Sequence, residues 1–370
     1  MTIEEVRDKK GLKKFIKLPF MIYRDDPNWV PPLNSDMVKM FSPKDNPFYD
    51  HAEVKLYIAR DDGAVVGRIA AIVDDMHIST HNEQAGFFGF YESTNDQAVA
   101  KALYDTAGVW LKSKGMKIMR GPMNPSINDE VGFLVRGFDS PPVIMMTYTP
   151  PYYLDLAEKY GFKKAMNLYA YYQTTAAGMP EKVKRVVDIM KRRNRNVVLR
   201  TLDMSKMKEE IEKVKKIYNI AWAKNWGAVP MTDREFDALV ARLKPLVVPE
   251  IVAFVEVDGK TVGVGVGIPD YNQVLLHLGG KLFPFGIFKF LRYKKRIDQC
   301  RLLILGILSE YQQMGLDALL YWQIFLGVQK LGYRGGEFSW TLENNYKVRR
   351  PAELWAGEPY KSYRIYEKKL

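Results

Sequence analysis

The sequence predicts an α/β chain built from two tandem domains of one kind, each a mixed, mostly antiparallel sheet flanked by helices. Three observations predict it. The 370 residues are too many for one ordinary core and comfortable for two. An apolar run, an Asp-Gly turn and a second apolar run occur in each half. In each half an apolar strand then leads into an amphipathic helix and a further strand.

The first hairpin is Asp62-Gly63-Ala64-Val65-Val66-Gly67 followed by Ile72, and the second is Asp258-Gly259-Lys260-Thr261-Val262-Gly263 followed by Ile268. Asp and Gly tolerate the positive φ that a two-residue turn demands, so each copy reads as a β-hairpin. Further on, Gly115 and Gly332 each close an amphipathic pattern and are each followed, thirteen residues later, by an asparagine (Asn128 and Asn345). Ala157-Glu158 through Gly161 then matches Ala352-Glu353 through Gly357. Three matches in one order indicate duplication.

The N-terminal arm, with Pro27, Pro31, Pro32, Pro43 and Pro47, reads as irregular and is expected to wrap the first domain. The first domain is expected over 1–175, a linker helix over 176–196 and the second domain over 197–370. The second half reads in order as a strand at 197–202, helices at 205–224 and 232–245, and a hairpin at 251–268. An apolar-basic insertion at 270–298 follows. Then come a strand at 301–309, a helix at 315–331, a strand at 335–342, a short helix at 346–355 and a closing strand at 360–367.

Composition narrows the function classes. A single cysteine, Cys300, excludes a disulfide framework and a cysteine-clustered zinc site and fits a reducing compartment. The charged start, MTIEEVRDKKGLKKF, has no signal-peptide core, and no apolar run is long enough to span a bilayer. A cytoplasmic protein is expected. The net charge of +12 suits a phosphate-bearing partner, an anionic lipid surface or nucleic acid. Its clusters, Lys182 to Arg195 and Lys206 to Lys216, read as solvated helix faces. No groove-reading motif accompanies them, so nucleic acid is not favoured. His77 and His81 are spaced as metal ligands on a helix would be, yet the span reads as a loop without a third ligand, and no metal is expected. No G-x-S-x-G supports a serine hydrolase.

The run Leu303 to Leu320 (LILGILSEYQQMGLDALL) is a strand, a loop and a helix start. It resembles the phosphate loop, Q/R-x-x-G-x-G/A, of the GNAT superfamily of acyl-CoA-dependent N-acyltransferases. Gln312 and Gly315 match the first two fixed positions. Asp317 stands where the family has Gly or Ala, and a carboxylate beside a pyrophosphate repels it unless it points away or caps the helix. By this resemblance Ile307, Leu308, Gln312, Gln313, Met314, Gly315, Leu316 and Asn345 are expected to bind acetyl-CoA or a longer acyl-CoA, since free N–H groups at a helix start attract phosphate. The first half has the pattern without the loop. Its AEKYGF, Ala157 to Phe162, resembles the family's closing helix. The family's usual thiolate-protonating tyrosine is replaced by Ala157 there and by Glu353 in the second copy. The chain looks like the bacterial tandem-GNAT group.

Acyl transfer to an amine needs a base, a polarised carbonyl and an acid for the leaving thiolate. Glu92, at the end of the strand before the first helix, is expected as the base. Asn128 and Glu130, in the polar loop GPMNPSINDE, are the other expected catalytic residues. The insertion runs from Leu282-Phe283-Pro284-Phe285 to Arg292-Tyr293-Lys294-Lys295-Arg296, bulky apolar side chains entering a basic cluster. It suits peripheral contact with an anionic membrane through 282–296, at the inner face, or a lid over the other domain. The insertion and the polar loop suit a lipid-like acceptor as well as a small amine, and the resemblance to the bacterial tandem-GNAT group implies a role like that of bacterial ceramide synthases, which acylate a sphingoid amine. Two other readings stay open: a non-catalytic acyl-CoA- or lipid-binding module, and an aminoacyl-tRNA-dependent transferase of similar double architecture.

Overall fold

The computed structural model describes residues 1–193 and 196–370. Strand β1 (Thr2–Glu5) precedes helix α1 (Lys9–Ile22), whose first turn is capped by the Asp8 carboxylate accepting from the Gly11 N–H. After α2 (Asn34–Met40), strands β2 (Ala52–Asp61) and β3 (Ala64–Asp74) form the first hairpin. Its turn residues Asp62 and Gly63 have φ of 46° and 80°. Helix α3 (Asp75–His81), strand β4 (Ala85–Ser93) and helix α4 (Gln97–Ser113) follow. Then come β5 (Ile118–Gly121), a small hairpin of β6 (Met123–Asn124) and β7 (Glu130–Val131), β8 (Phe133–Arg136), α5 (Tyr152–Tyr160) and β9 (Lys163–Thr174).

The second copy opens with α6 (Glu181–Arg193), β10 (Val197–Thr201), α7 (Met207–Trp222) and α8 (Asp233–Leu243). A reciprocal capping box between Thr232 and Glu235 starts α8. The second hairpin, β11 (Val252–Val257) and β12 (Lys260–Pro269), turns on Asp258 and Gly259 at φ of 50° and 76°. Next are α9 (Asn272–Leu275), α10 (Gly286–Lys294), β13 (Gln299–Ile307), α11 (Leu316–Lys330), β14 (Gly335–Leu342), α12 (Tyr346–Ala356) and β15 (Lys361–Lys369).

These elements form two compact units. In the first, the sheet order is β1-β2-β3-β4-β5-β15, with β8 also on β15. β4 and β5 are parallel over Ala85–Phe87 and Ile118–Arg120. The other pairings for which register is resolved in that unit's main sheet are antiparallel. Its core is aromatic: Phe88, Tyr104, Phe133, Tyr153 and Phe162 are buried beside Leu103 and Leu111. In the second unit the order is β14-β13-β12-β11-β10, and β13 and β14 are parallel over Gln299–Leu302 and Gly335–Phe338. Hairpin, strand, helix and parallel strand thus recur in both units, as the repeat predicts.

The units do not follow the expected chain-order partition into 1–175, 176–196 and 197–370. The first comprises residues 1–168, 275–291 and 361–370, and the second comprises 169–274 and 292–360. The closing strand of the second copy, β15, completes the sheet of the first unit. Residues 169–174 of β9 serve the second, where Thr341 Oγ1 donates to Tyr169 O at 3.3 Å. Most of the insertion at 270–298 packs with the first unit, because residues 275–291 belong there. The α6 part of the expected linker belongs to the second unit, and Asn194 and Arg195 lie outside the described residues. The histidine span is not a loop. His77 and His81 sit on α3 with ring centroids 4.6 Å apart, and His77 Nε2 lies 3.3 Å from Glu83 Oε2.

Arg120, at the parallel pairing of β4 and β5, makes two bonds to Glu83 of 2.8 and 2.9 Å and reaches Glu367 on β15 at 2.7 Å. The Arg120 hydrogen bond pulls the Glu83 carboxyl down to about 2. A depressed folded pKa means stability present above the unfolded value of about 4.3 and lost as pH falls towards the folded one. The melting temperature is therefore expected to fall between pH ~4.3 and pH ~2, with a clearly shallower slope in Glu83→Gln, as thermal melts across that window would show.

Candidate active site

The parallel pairing of β4 with β5 ends at Phe87, and β4 continues to Ser93. A register shift between Arg68 and Ala70 on β3 marks the bend, and Phe90 takes φ of 47°, rare for a bulky residue. Asn124 on β6 holds it there, its Oδ1 accepting from the Phe90 N–H at 2.6 Å. Close approach of β6 needs Gly89, where an added Cβ would lie 1.7 Å from Met123 O. The polar loop thus reaches β4 through Asn124.

Glu92 lies beyond this bend, paired across the strands with Arg68. Arg68 Nη2 is 3.4 Å from Glu92 Oε1, and Arg68 Nη1 donates to Phe15 O at 2.8 Å while its guanidinium covers the Phe15 ring. Tyr153 Oη donates to Glu92 Oε2 at 2.7 Å and accepts from the Ser93 N–H at 3.0 Å. Tyr152 Oη donates to Ser93 O at 2.8 Å. Burial raises the Glu92 pKa, against the opposing pull of Arg68 and the Tyr153 hydroxyl. The same burial, then the Glu92 charge, lifts Tyr153 far above the ordinary phenol. The Glu92 and Arg68 side chains are 12% and 6% exposed, so the pair is largely withdrawn from solvent. A carboxyl whose pKa is raised in this way is a competent proton acceptor for an ammonium group.

Asn128 and Glu130 are placed differently. Asn128 donates its backbone N–H to Ser126 Oγ at 3.1 Å, and Ser126 bonds Asp129 at 2.8 Å, so these groups shape the turn itself. Glu130 is exposed on β7, opposite Asn124. Asn124 belongs to the polar loop that the sequence singles out, whereas the sequence alone does not point to Arg68 and Tyr153, the partners of Glu92. The available signal was Arg68, a lone charge in the apolar run AVVGRIAAIV, which demands a buried partner.

In the second unit Ile307 and Leu308 are buried, and the Leu308 N–H bonds Val262 O at 2.9 Å. A 3-10 turn over Ser309–Met314 carries exposed Gln312, whose Nε2 donates to Ile307 O at 3.3 Å and whose Oε1 accepts from Lys347 Nζ at 3.4 Å. The side chain of Gln313 lies outside the described residues. Met314 is exposed, Leu316 is buried, and Gly315 stands at φ 72° before α11. Val186 and Met190 of α6 pack over Gly315. Asn345 caps α12 with its carbonyl and donates through Nδ2 to Asn225 Oδ1 at 3.2 Å. Asp317 lies in the first turn of α11, and burial raises its pKa against the opposing pull of the nearby backbone N–H groups. Among the described residues no group of three or more His, Cys, Asp or Glu side chains is placed to hold a metal ion.

No protein-family model matches the chain. Across 377 residues it is 38% identical to the bacterial ceramide synthase of Caulobacter vibrioides, covering 100% of this chain and 98% of that one. The chain belongs to that family. It is also 34% identical over 370 residues to Protein YghO of Escherichia coli K12, covering 98% and 94% of the two chains. Among solved structures it superposes on a tandem GNAT protein from the clavulanic acid biosynthesis pathway with a TM-score of 0.58 at 12% identity, covering 100% and 98%. A GCN5-related glucosamine N-acetyltransferase region of a fungal β-N-acetylglucosaminidase gives 0.57 at 14% identity, covering 99% of this chain and 38% of that one. These likenesses show the tandem GNAT fold. By family and fold the chain is an N-acyltransferase.

Glu92→Gln is expected to lower kcat at least about 100-fold while leaving the protein folded, as paired rate and melting measurements would show. The wild-type rate should fall as pH drops through the raised Glu92 pKa, above the ordinary carboxyl value of about 4.3, because the base form is lost there. Stability has the opposite sign. A raised carboxyl pKa contributes below the unfolded value and loses that contribution as pH rises through the folded one.

Proposed function

We propose that this protein transfers an acyl group from an acyl-CoA to the primary amine of a lipid-like, sphingoid acceptor. The observation that carries the reading is Glu92: a buried carboxylate with a raised pKa, bonded by Tyr153 and facing Arg68 at the end of β4. An alkylammonium must lose a proton before it can attack, and a carboxyl raised by burial accepts that proton more readily than an exposed one. The nitrogen then forms a bond to the thioester carbon, the carbon–sulfur bond breaks, and the thiolate departs to take up a proton. The name of the Caulobacter relative supports a sphingoid amine as acceptor.

In this reading the turn Gln312 to Leu316 and the start of α11 hold the CoA phosphates. Gly315 supports it, because glycine adopts its φ of 72° without strain and a helix start follows directly. Lys347, bonded to Gln312, adds positive charge beside the turn. The Asp317 carboxylate in the first turn of α11 opposes phosphate there.

Two measurements test the reading. Gly315→Ala should weaken CoA binding about 10-fold through the forced backbone change, whereas Asp317→Asn should tighten it by removing a charge. Unchanged Kd in both variants, read by calorimetry, would move the co-substrate to the first unit. Separately, acyl-CoA should raise the melting temperature, and adding a sphingoid amine should release free CoA, titratable with a thiol reagent. Binding without release would replace the enzyme by a carrier of acyl-CoA.

A further inference from the structure

The chain from Gly280 to Arg296 carries a surface that acyl transfer does not use. Phe283, Phe285 and Phe288 are 72%, 78% and 70% exposed, and Leu291 is 55% exposed. No other phenylalanine or tryptophan among the described residues is exposed. Helix α10 is two-sided: Ile287 and Phe290 are half-buried, whereas Phe288 and Leu291 point out. Large apolar side chains left in water at this density mark a contact surface.

The segment is held firmly at its start. The Asn34 N–H and Nδ2 both donate to Gly280 O, at 2.9 and 2.6 Å. Gly280 stands at φ 75° against Phe20 of α1, where an added Cβ would lie 2.6 Å from the ring. The rings beyond Gly280 therefore project from an anchored base in the first unit.

Charge selects what can cover them. Between Leu275 and Ile297 there is no acidic residue, while Lys281, Lys289, Arg292, Lys294, Lys295 and Arg296 are all exposed. Lys13 and Lys17 on α1 extend the positive field. Partial burial, then the charges of Lys281 and Lys13, lowers the Lys17 pKa. A second copy of the chain would set these cations against themselves. A lipid surface offers both partners at once, acyl chains for the rings and phosphates for the cations.

We infer that residues 281–296 form an interfacial anchor that seats the protein on an anionic phospholipid surface. Phe283, Phe285, Phe288 and Leu291 enter the headgroup–acyl boundary, and the surrounding lysines and arginines pair with lipid phosphates. This goes beyond the acyl-transfer reading and does not rest on it, because the anchor is tested without CoA or acceptor.

Full-length protein is mixed with sedimentable vesicles of phosphatidylcholine alone, or of three parts phosphatidylcholine to one part phosphatidylglycerol. The expected result is binding to the mixed vesicles that weakens in high salt, with little binding to the neutral ones. The triple change Phe283→Ser, Phe285→Ser, Phe288→Ser should weaken it about 100-fold, and Lys289→Glu with Arg292→Glu should nearly abolish it. Melting temperatures should be unchanged, since these side chains face solvent. As a second readout, Phe285→Trp should shift its emission to the blue on adding mixed vesicles. Failure of the wild type to bind mixed vesicles, equal binding by the triple variant, or equal binding to neutral vesicles overturns the inference. Preference for a single-stranded RNA oligomer, or salt-dependent dimerisation through the same residues, overturns it in favour of that partner.

Discussion

Where two parallel strands stop pairing, each loses a row of backbone partners, and other groups must satisfy what is released. In the first unit this happens after Phe87, and side chains take over. Asn124 accepts from the Phe90 N–H, Tyr153 accepts from the Ser93 N–H, and Tyr152 donates to Ser93 O. Glu92 lies between these anchored points, so its position follows from the satisfaction of its neighbours. At the matching place in the second unit, Gln312 donates to Ile307 O. Partial pairing of parallel strands thus generates the Glu92 position in one copy and the turn before α11 in the other.

The two copies solve the same backbone problem with different side chains, and their chemistry diverges accordingly. The first has a buried carboxylate and no glycine turn before its helix. α4 starts instead on the Asp96 carboxylate, which accepts from the Ala98 N–H at 2.7 Å. The second keeps a glycine at positive φ and has Ile307 where the strand of the first copy ends in polar residues. Asp317 completes the contrast, a carboxylate set in the first turn of α11. Duplication has left two frames with unlike contents.

What could be read in advance was local. Asp62-Gly63 and Asp258-Gly259 carry their own turn geometry, and both adopt the positive φ they imply. Glu92 could be placed because it ends an apolar strand just before a helix start. Its partners could not, because Arg68 and Tyr153 are 24 and 61 residues away and no spacing links them. The α3 helix was hidden by its length and polar content. Its start depends on Asp74, whose carboxylate accepts from the Met76 N–H and also bonds His51. The assignment of β15 to the first unit was not legible either. Alternating Tyr363 and Ile365 say that the strand is buried on a face, and nothing in them says in which sheet.

That assignment orders events in time. A ribosome delivers residues 1–168 long before residues 361–369, yet β5 and β8 need β15 as their neighbour. Until then the first unit must wait with an open sheet edge, a surface that invites strands from other nascent chains. Loss of residues 361–369 would likewise damage the unit whose strands are made first and leave residues 169–274 closer to intact. The sheet begun first is therefore among the last to be finished, and its integrity depends on a strand far along the chain.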